Sequence, residues 1–187
     1  MAGVPVHLIQ RGNNRQACFF AEDDYQIYLE WLKEYAFETG CTVHAYVLMT
    51  NHVHILLTPS KDSGPSVLMK SLGQRYVQYI NRTYGRSGTL WDGRFRSCIT
   101  QQEIYLLVCQ RYIELNPVRA GIVRHPGEYR WTSYRANAYG EKDGLIGNHP
   151  LYERLGQTKE ERQEAYRELF RYELNPGEIE KIRHATN

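Results

Sequence analysis

Cys41-Thr42-Val43-His44-Ala45-Tyr46-Val47-Leu48-Met49-Thr50-Asn51-His52-Val53-His54-Ile55-Leu56-Leu57-Thr58 is a β-branched and aromatic run interrupted by one polar pair, Thr50-Asn51. That pattern predicts two strands, Cys41 to Met49 and His52 to Thr58, joined by a turn. On the N-terminal side, Asp23 to Glu38 sets Ile27, Trp31, Leu32 and Tyr35 on one helical face, and Gly40 is a good stop. Before it, Val4 to Gln10 alternates as a strand and Arg11 to Arg15 is a polar loop. On the C-terminal side, Pro59 to Pro65 reads as a loop. Ser66 to Tyr84 reads as a long helix with Leu68, Leu72, Tyr76, Tyr79 and Ile80 on one face. Gly85 to Gly93 is rich in turns, and Arg94 to Ile99 is a fourth strand.

The order β-α-β-β-α-β is the split βαβ pattern, so the fold class is α+β: a ferredoxin-like antiparallel sheet with helices on one face. Thr100 and Glu103 have capping-box spacing and predict a further helix. Its buried face carries Ile104, Leu107 and Val108, and Pro117 is expected to end it near Asn116. Residues 1–121 are expected to form one domain. Residues 122–187 form a mostly helical extension, with aromatic turns around Tyr129, Trp131 and Tyr134 and a charged helix from Thr158 to Leu174.

Composition narrows the functions. No apolar run approaches the length of a membrane span, and residues 1–10 lack a secretion signal, so a cytoplasmic protein with no membrane partner is expected. Cys18, Cys41, Cys98 and Cys109 form no C-x-x-C pair, which points to reduced, packed thiols. No phosphate-binding G-x-x-x-x-G-K-S/T loop is present, so no nucleotide is expected. Charge is uneven. Residues 1–60 carry three basic against six acidic side chains, whereas residues 61–100 carry seven against two, with Tyr76, Tyr79, Tyr84, Trp91 and Phe95 interleaved. Such a stretch suits phosphate contact and base stacking, although a solvated helix face over core aromatics has the same composition.

The chemistry-bearing motif is His52-Val53-His54. Residues i and i+2 of a strand share a face, so two imidazoles stand side by side, close enough to share a metal ion. A bare H-x-H also occurs where two histidines simply hydrogen-bond. A histidine-triad hydrolase would need a third histidine where Leu56 stands, and the paired H-x-S/T motifs of a two-histidine phosphoesterase are absent. Tyr112 and Asn116 lie four apart on one helical face. If that helix covers the His52/His54 face, Asn116 completes a metal site beside Tyr112; otherwise Tyr112 is a core aromatic and Asn116 a helix cap.

Five segments resemble the REP-associated tyrosine transposases, in order and in register. Tyr112-Ile113-Glu114-Leu115-Asn116-Pro117-Val118-Arg119-Ala120-Gly121 resembles their tyrosine motif, and Met49-Thr50-Asn51-His52-Val53-His54 their two-histidine metal motif. His7 to Arg15 is similar to their opening strand and loop, Leu90 to Phe95 to the signature before the fourth strand, and Arg130 to Tyr134 to a tail motif. The resemblance implies single-strand DNA cleavage and joining at the foot of a repeat hairpin, through a 5′-phosphotyrosine intermediate. It implies Tyr112 as nucleophile, with Tyr105 in reserve. It also implies a divalent cofactor, Mg²⁺ or Mn²⁺, on His52, His54 and Asn116. Expected DNA contacts are Arg11, Arg15, Lys70, Arg75, Arg82, Arg94, Arg96 and Arg119, with Trp91 or Phe95 stacking on a base. A homodimer is compatible with the resemblance, since such enzymes work as dimers or as monomers. The competing readings are a hairpin-binding protein that does not cleave, a rolling-circle initiator or relaxase, and a structural ferredoxin-like domain.

Overall fold

The structure, a computed structural model, describes residues 1–99 and 103–185. Four antiparallel strands form one sheet: β1 (Val6–Arg11), β2 (Cys41–Met49), β3 (His52–Pro59) and β4 (Arg96–Ile99), in the order β2-β3-β1-β4. Helices α1 (Glu22–Thr39) and α2 (Gly64–Thr83) cross over between them, giving the ferredoxin-like arrangement. Then follow α3 (Glu103–Glu114), α4 (Asn116–Arg119), α5 (Tyr134–Tyr139), α6 (Pro150–Glu153), α7 (Lys159–Glu168) and α8 (Pro176–Ala185). Among the described residues, no helix is long and apolar enough to cross a membrane.

Each strand sorts its side chains between two cores. Val6 and Leu8 of β1, Tyr46 and Leu48 of β2, and Val53, Ile55 and Leu57 of β3 pack against α1 and α2. Ala45, Val47 and Met49 of β2 and Leu56 of β3 face the other way, against Cys109, Tyr112 and Ile113 of α3 and Leu174 and Ile182 of the extension. The parity of β2 changes at a bulge between Val43 and Ala45. The bulged His44 sits between Gly147 and Thr58: its Nδ1–H donates to the Gly147 carbonyl at 2.7 Å, and its Nε2 accepts from Thr58 Oγ1 at 2.8 Å. Burial lowers its pKa to about 4, which keeps the ring neutral in that role.

The extension closes the outer edge of β2. Leu48 N–H donates to Trp131 O, Ser133 N–H to Tyr46 O and Gly147 N–H to Val43 O. It also buries the back of α3: the Glu114 carboxyl accepts from Ser133 Oγ (2.6 Å), Asn137 Nδ2 (2.8 Å) and Tyr166 OH (2.8 Å). Desolvation raises the Glu114 pKa to about 7 against the opposing pull of those three bonds.

Several boundaries differ from the sequence reading. α2 begins at Gly64, with Pro65 in the first turn, where proline's missing N–H has no partner to lose. β4 starts at Arg96 because the preceding loop is pinned to β1: Gly12 bridges Trp91, and Asp92 N–H donates to Arg11 O. Pro117 does not end the helical path; it opens α4 after a one-residue break at Leu115. The charged helix of the extension stops at Glu168, and α5, α6 and α8 have no counterpart in that reading. The capping pair Thr100 and Glu103 and the Tyr105 side chain lie outside the described residues and side chains.

Candidate active site

The break at Pro117 organises the site. Proline has no N–H for the Ile113 carbonyl, so the last turn of α3 is left with acceptors to satisfy. Asn116 Nδ2 donates to Tyr112 O at 3.1 Å and to Ile113 O at 3.2 Å, and Arg119 Nη1 donates to Tyr112 O at 2.9 Å. With its NH₂ group held by the helix, the Asn116 amide presents its oxygen to the cleft. The same bond sets the Arg119 guanidinium over the Tyr112 ring, 3.9 Å from the centroid.

Facing this helix end, β3 presents His52 and His54 with ring centroids 5.1 Å apart, while Val53 points into the α1/α2 core. The His54 ring lies 5.9 Å from that of Tyr112. Each imidazole has its Nδ1 occupied. His52 Nδ1–H donates to Asn51 Oδ1 at 2.7 Å, and Asn51 Nδ2 in turn donates to Arg15 O at 3.0 Å. In the tautomer that leaves its Nε2 bare, His54 donates Nδ1–H to His7 Nε2 at 2.9 Å. Burial lowers the His52 pKa to about 4, helped by Arg11 and Arg119 and opposed by Asn116. Burial also drives His54 well below its ordinary value and His7 to about 3. Neutral rings with bare Nε2 atoms are what metal ligation requires.

Among the described residues, no three His, Cys, Asp or Glu side chains are arranged to hold a metal. A metal in this cleft would have His52, His54 and the Asn116 oxygen as its nearest candidate donors, a nitrogen and oxygen set whose chemistry suits a divalent ion. These groups and Tyr112 line one cleft of about 440 Å³ with Arg11, Arg15, Arg119 and Arg183 around it. The loop supplying Arg15 is strained: Asn14 and Arg15 both have positive φ, 51° and 58°.

The IS200-like transposase family profile matches residues 1–116. The chain belongs to that family. Among solved structures, this IS200-like transposase is similar to a REP-associated tyrosine transposase bound to a REP hairpin. That match has a TM-score of 0.63 and 17% identity, and it covers 80% of this chain and 88% of the other. A candidate transposase from Deinococcus radiodurans R1 matches with a TM-score of 0.44 and 23% identity, over 61% of this chain and 91% of that one. No curated protein matches at a significant level.

The remaining residues expected to touch DNA divide among several places in the transposase. Arg11, Arg15 and Arg119 border the Tyr112 cleft. Arg96 pairs with Ile9 and so lies on the same sheet face as that cleft. Lys70, Arg94 and Phe95 line a second cleft on the opposite face. Arg75 is committed elsewhere: it pairs with Glu34 at 2.8 Å and lies over Trp31, away from both clefts. Arg82 is exposed in the last turn of α2 and lines neither cleft. Trp91 cannot offer a ring face to a base, because it is 5% exposed and packed against Tyr28 and Tyr76. His7, Asn51 and Arg183 enter the site with no role expected from the sequence.

Proposed function

We propose that this chain nicks and rejoins single-stranded DNA at the foot of repeat hairpins, with Tyr112 as nucleophile. The observation that carries the reading is one cleft lined by Tyr112, His52, His54 and Asn116 and bordered by arginines. A divalent ion, Mg²⁺ or Mn²⁺, held by His52, His54 and Asn116 would draw charge from the scissile phosphate. Arg11, Arg15 and Arg119 would bind the flanking phosphates. The Tyr112 oxygen attacks phosphorus, loses its proton, and displaces the 3′ oxygen, which leaves as a 3′-hydroxyl. Neutral tyrosine is a weak nucleophile, and the Arg119 guanidinium, 3.9 Å from the ring centroid, sets a positive charge beside the reacting residue. The resulting 5′-phosphotyrosine retains the diester's energy, so a 3′-hydroxyl reverses the step without a nucleotide. The hairpin substrate is proposed by analogy with the fold relative bound to one.

The test is a covalent-adduct assay with hairpin oligonucleotides from DNA flanking the gene, in Mn²⁺ or Mg²⁺. The expected result is a denaturation-resistant adduct, lost with chelator and with Tyr112→Phe and formed without ATP. Tight hairpin binding with no adduct from the parent chain would replace this reading with that of a binding protein.

A further inference from the structure

His7 lies outside the two-histidine motif, yet it touches both a candidate ligand and the candidate nucleophile. In the β1–β3 register His54 lies opposite Ile9, so His7 is its diagonal neighbour on the same sheet face. The two imidazoles stack with centroids 5.1 Å apart, and one hydrogen bond of 2.9 Å joins His7 Nε2 to His54 Nδ1. His7 also meets the Tyr112 ring edge-on, with centroids 6.2 Å apart. Neither imidazole is more than 2% exposed, and burial keeps both neutral.

A neutral imidazole carries a single N–H. The shared bond therefore couples the two rings. Either His54 donates from Nδ1 and His7 accepts at Nε2, or His7 donates and His54 carries its proton on Nε2. Mixed arrangements set two N–H groups, or two lone pairs, against each other. Only the first arrangement leaves the His54 Nε2 lone pair free. The cleft that His54 lines carries Arg11, Arg15, Arg119 and Arg183 and, among the described residues, no carboxylate. In that positive field a bare ring nitrogen is favoured over an N–H. We infer that His7 is a positioning residue: by accepting the His54 Nδ1 proton it fixes the tautomer in which His54 can ligate a divalent ion, before any ion arrives. This rests on the reading of His52, His54 and Asn116 as metal donors and adds what prepares one of them. The bond made by one nitrogen of a histidine decides which nitrogen is left to a metal.

The first test needs neither a variant nor a metal. Long-range proton–nitrogen NMR of the metal-free parent, with His54 assigned against His54→Gln, should find the His54 proton on Nδ1. A proton on Nε2 overturns the inference. Two variants then separate positioning from packing. His7→Gln sets an amide oxygen near the place of Nε2, whereas His7→Leu fills the space without an acceptor. In His7→Leu the His54 proton should move to Nε2, and affinity for Mn²⁺ should fall about 10–100-fold in calorimetric titration. His7→Gln should restore most of that loss. Equal loss in both variants, no loss in either, or a parent that binds no Mn²⁺ refutes the assignment. Should His7→Leu not fold, the parent spectrum decides alone. A Tyr112 adduct from a chain whose His54 proton sits on Nε2 overturns this inference alone; the expected tautomer in a chain that forms no adduct overturns the cleavage reading alone.

Discussion

Asn51 does for His52 what His7 does for His54: it takes the Nδ1 proton and leaves Nε2 bare. Partners of this kind typically change metal affinity about 10–100-fold when removed. Asn51→Ala should therefore weaken Mn²⁺ binding by that order in calorimetric titration, and Asn51→Asp, which keeps an acceptor, should recover part of it. Unchanged affinity in Asn51→Ala would remove Asn51 from the site. Glu114 makes a separate expectation. Its folded pKa, about 7, lies above the ordinary carboxyl value, so the stability it contributes is present at low pH and lost as pH rises through about 7. Glu114→Gln resembles the protonated form. Its melting temperature should match the parent below about pH 4.5 and exceed it increasingly up to about pH 7, with a constant gap above that; a parallel pH profile for the two chains would count against this account. The shared face of His52 and His54 and that of Tyr112 and Asn116 were legible from spacing alone. His7 was not, because its partner depends on strand register, and Asn51 was not, because its contact depends on side-chain direction within a turn. Trp91 misled, since an aromatic beside arginines reads the same whether it stacks on DNA or on Tyr76.

α3 is held from two sides, by the sheet and by the extension, which fixes Tyr112 within the chain that also carries His52 and His54. The extension also occupies the β2 edge, the site where a second copy would otherwise add its own strand. A monomer acting in cis is the expectation. A mixture of Tyr112→Phe and His52→Ala chains should stay inactive in the adduct assay and sediment as monomers; regained activity would show a shared site. The β-α-β-β-α-β order was legible because strand alternation and helical periodicity are both strong in residues 1–99. The extension was far less so. α5 and α6 are only 6 and 4 residues long, too short for a period to emerge, and they are held by buried polar contacts such as Tyr152 OH to Asn137 O at 2.6 Å. Pro117 reads as a stop in sequence, yet side chains take the acceptors it frees and the chain turns on into α4.

The whole molecule carries a net charge of only +2, yet Arg11, Arg15, Arg119 and Arg183 gather around one cleft. Arg183 went unnoticed in the sequence because residues 141–187 are net acidic, and a regional sum conceals one cation placed by helix packing. Each phosphate contact contributes a slope of about −0.7 to the dependence of log binding on log salt for single strands. Arg119→Ala should therefore flatten the measured slope by about that amount; an unaltered slope would mean that Arg119 serves only the tyrosine ring. The two edges of the sheet are managed by different means: the extension covers β2, and the other edge is β4, a strand of 4 residues. So short an edge offers a passing chain few backbone groups to pair with, which guards the molecule against aggregating through its own sheet.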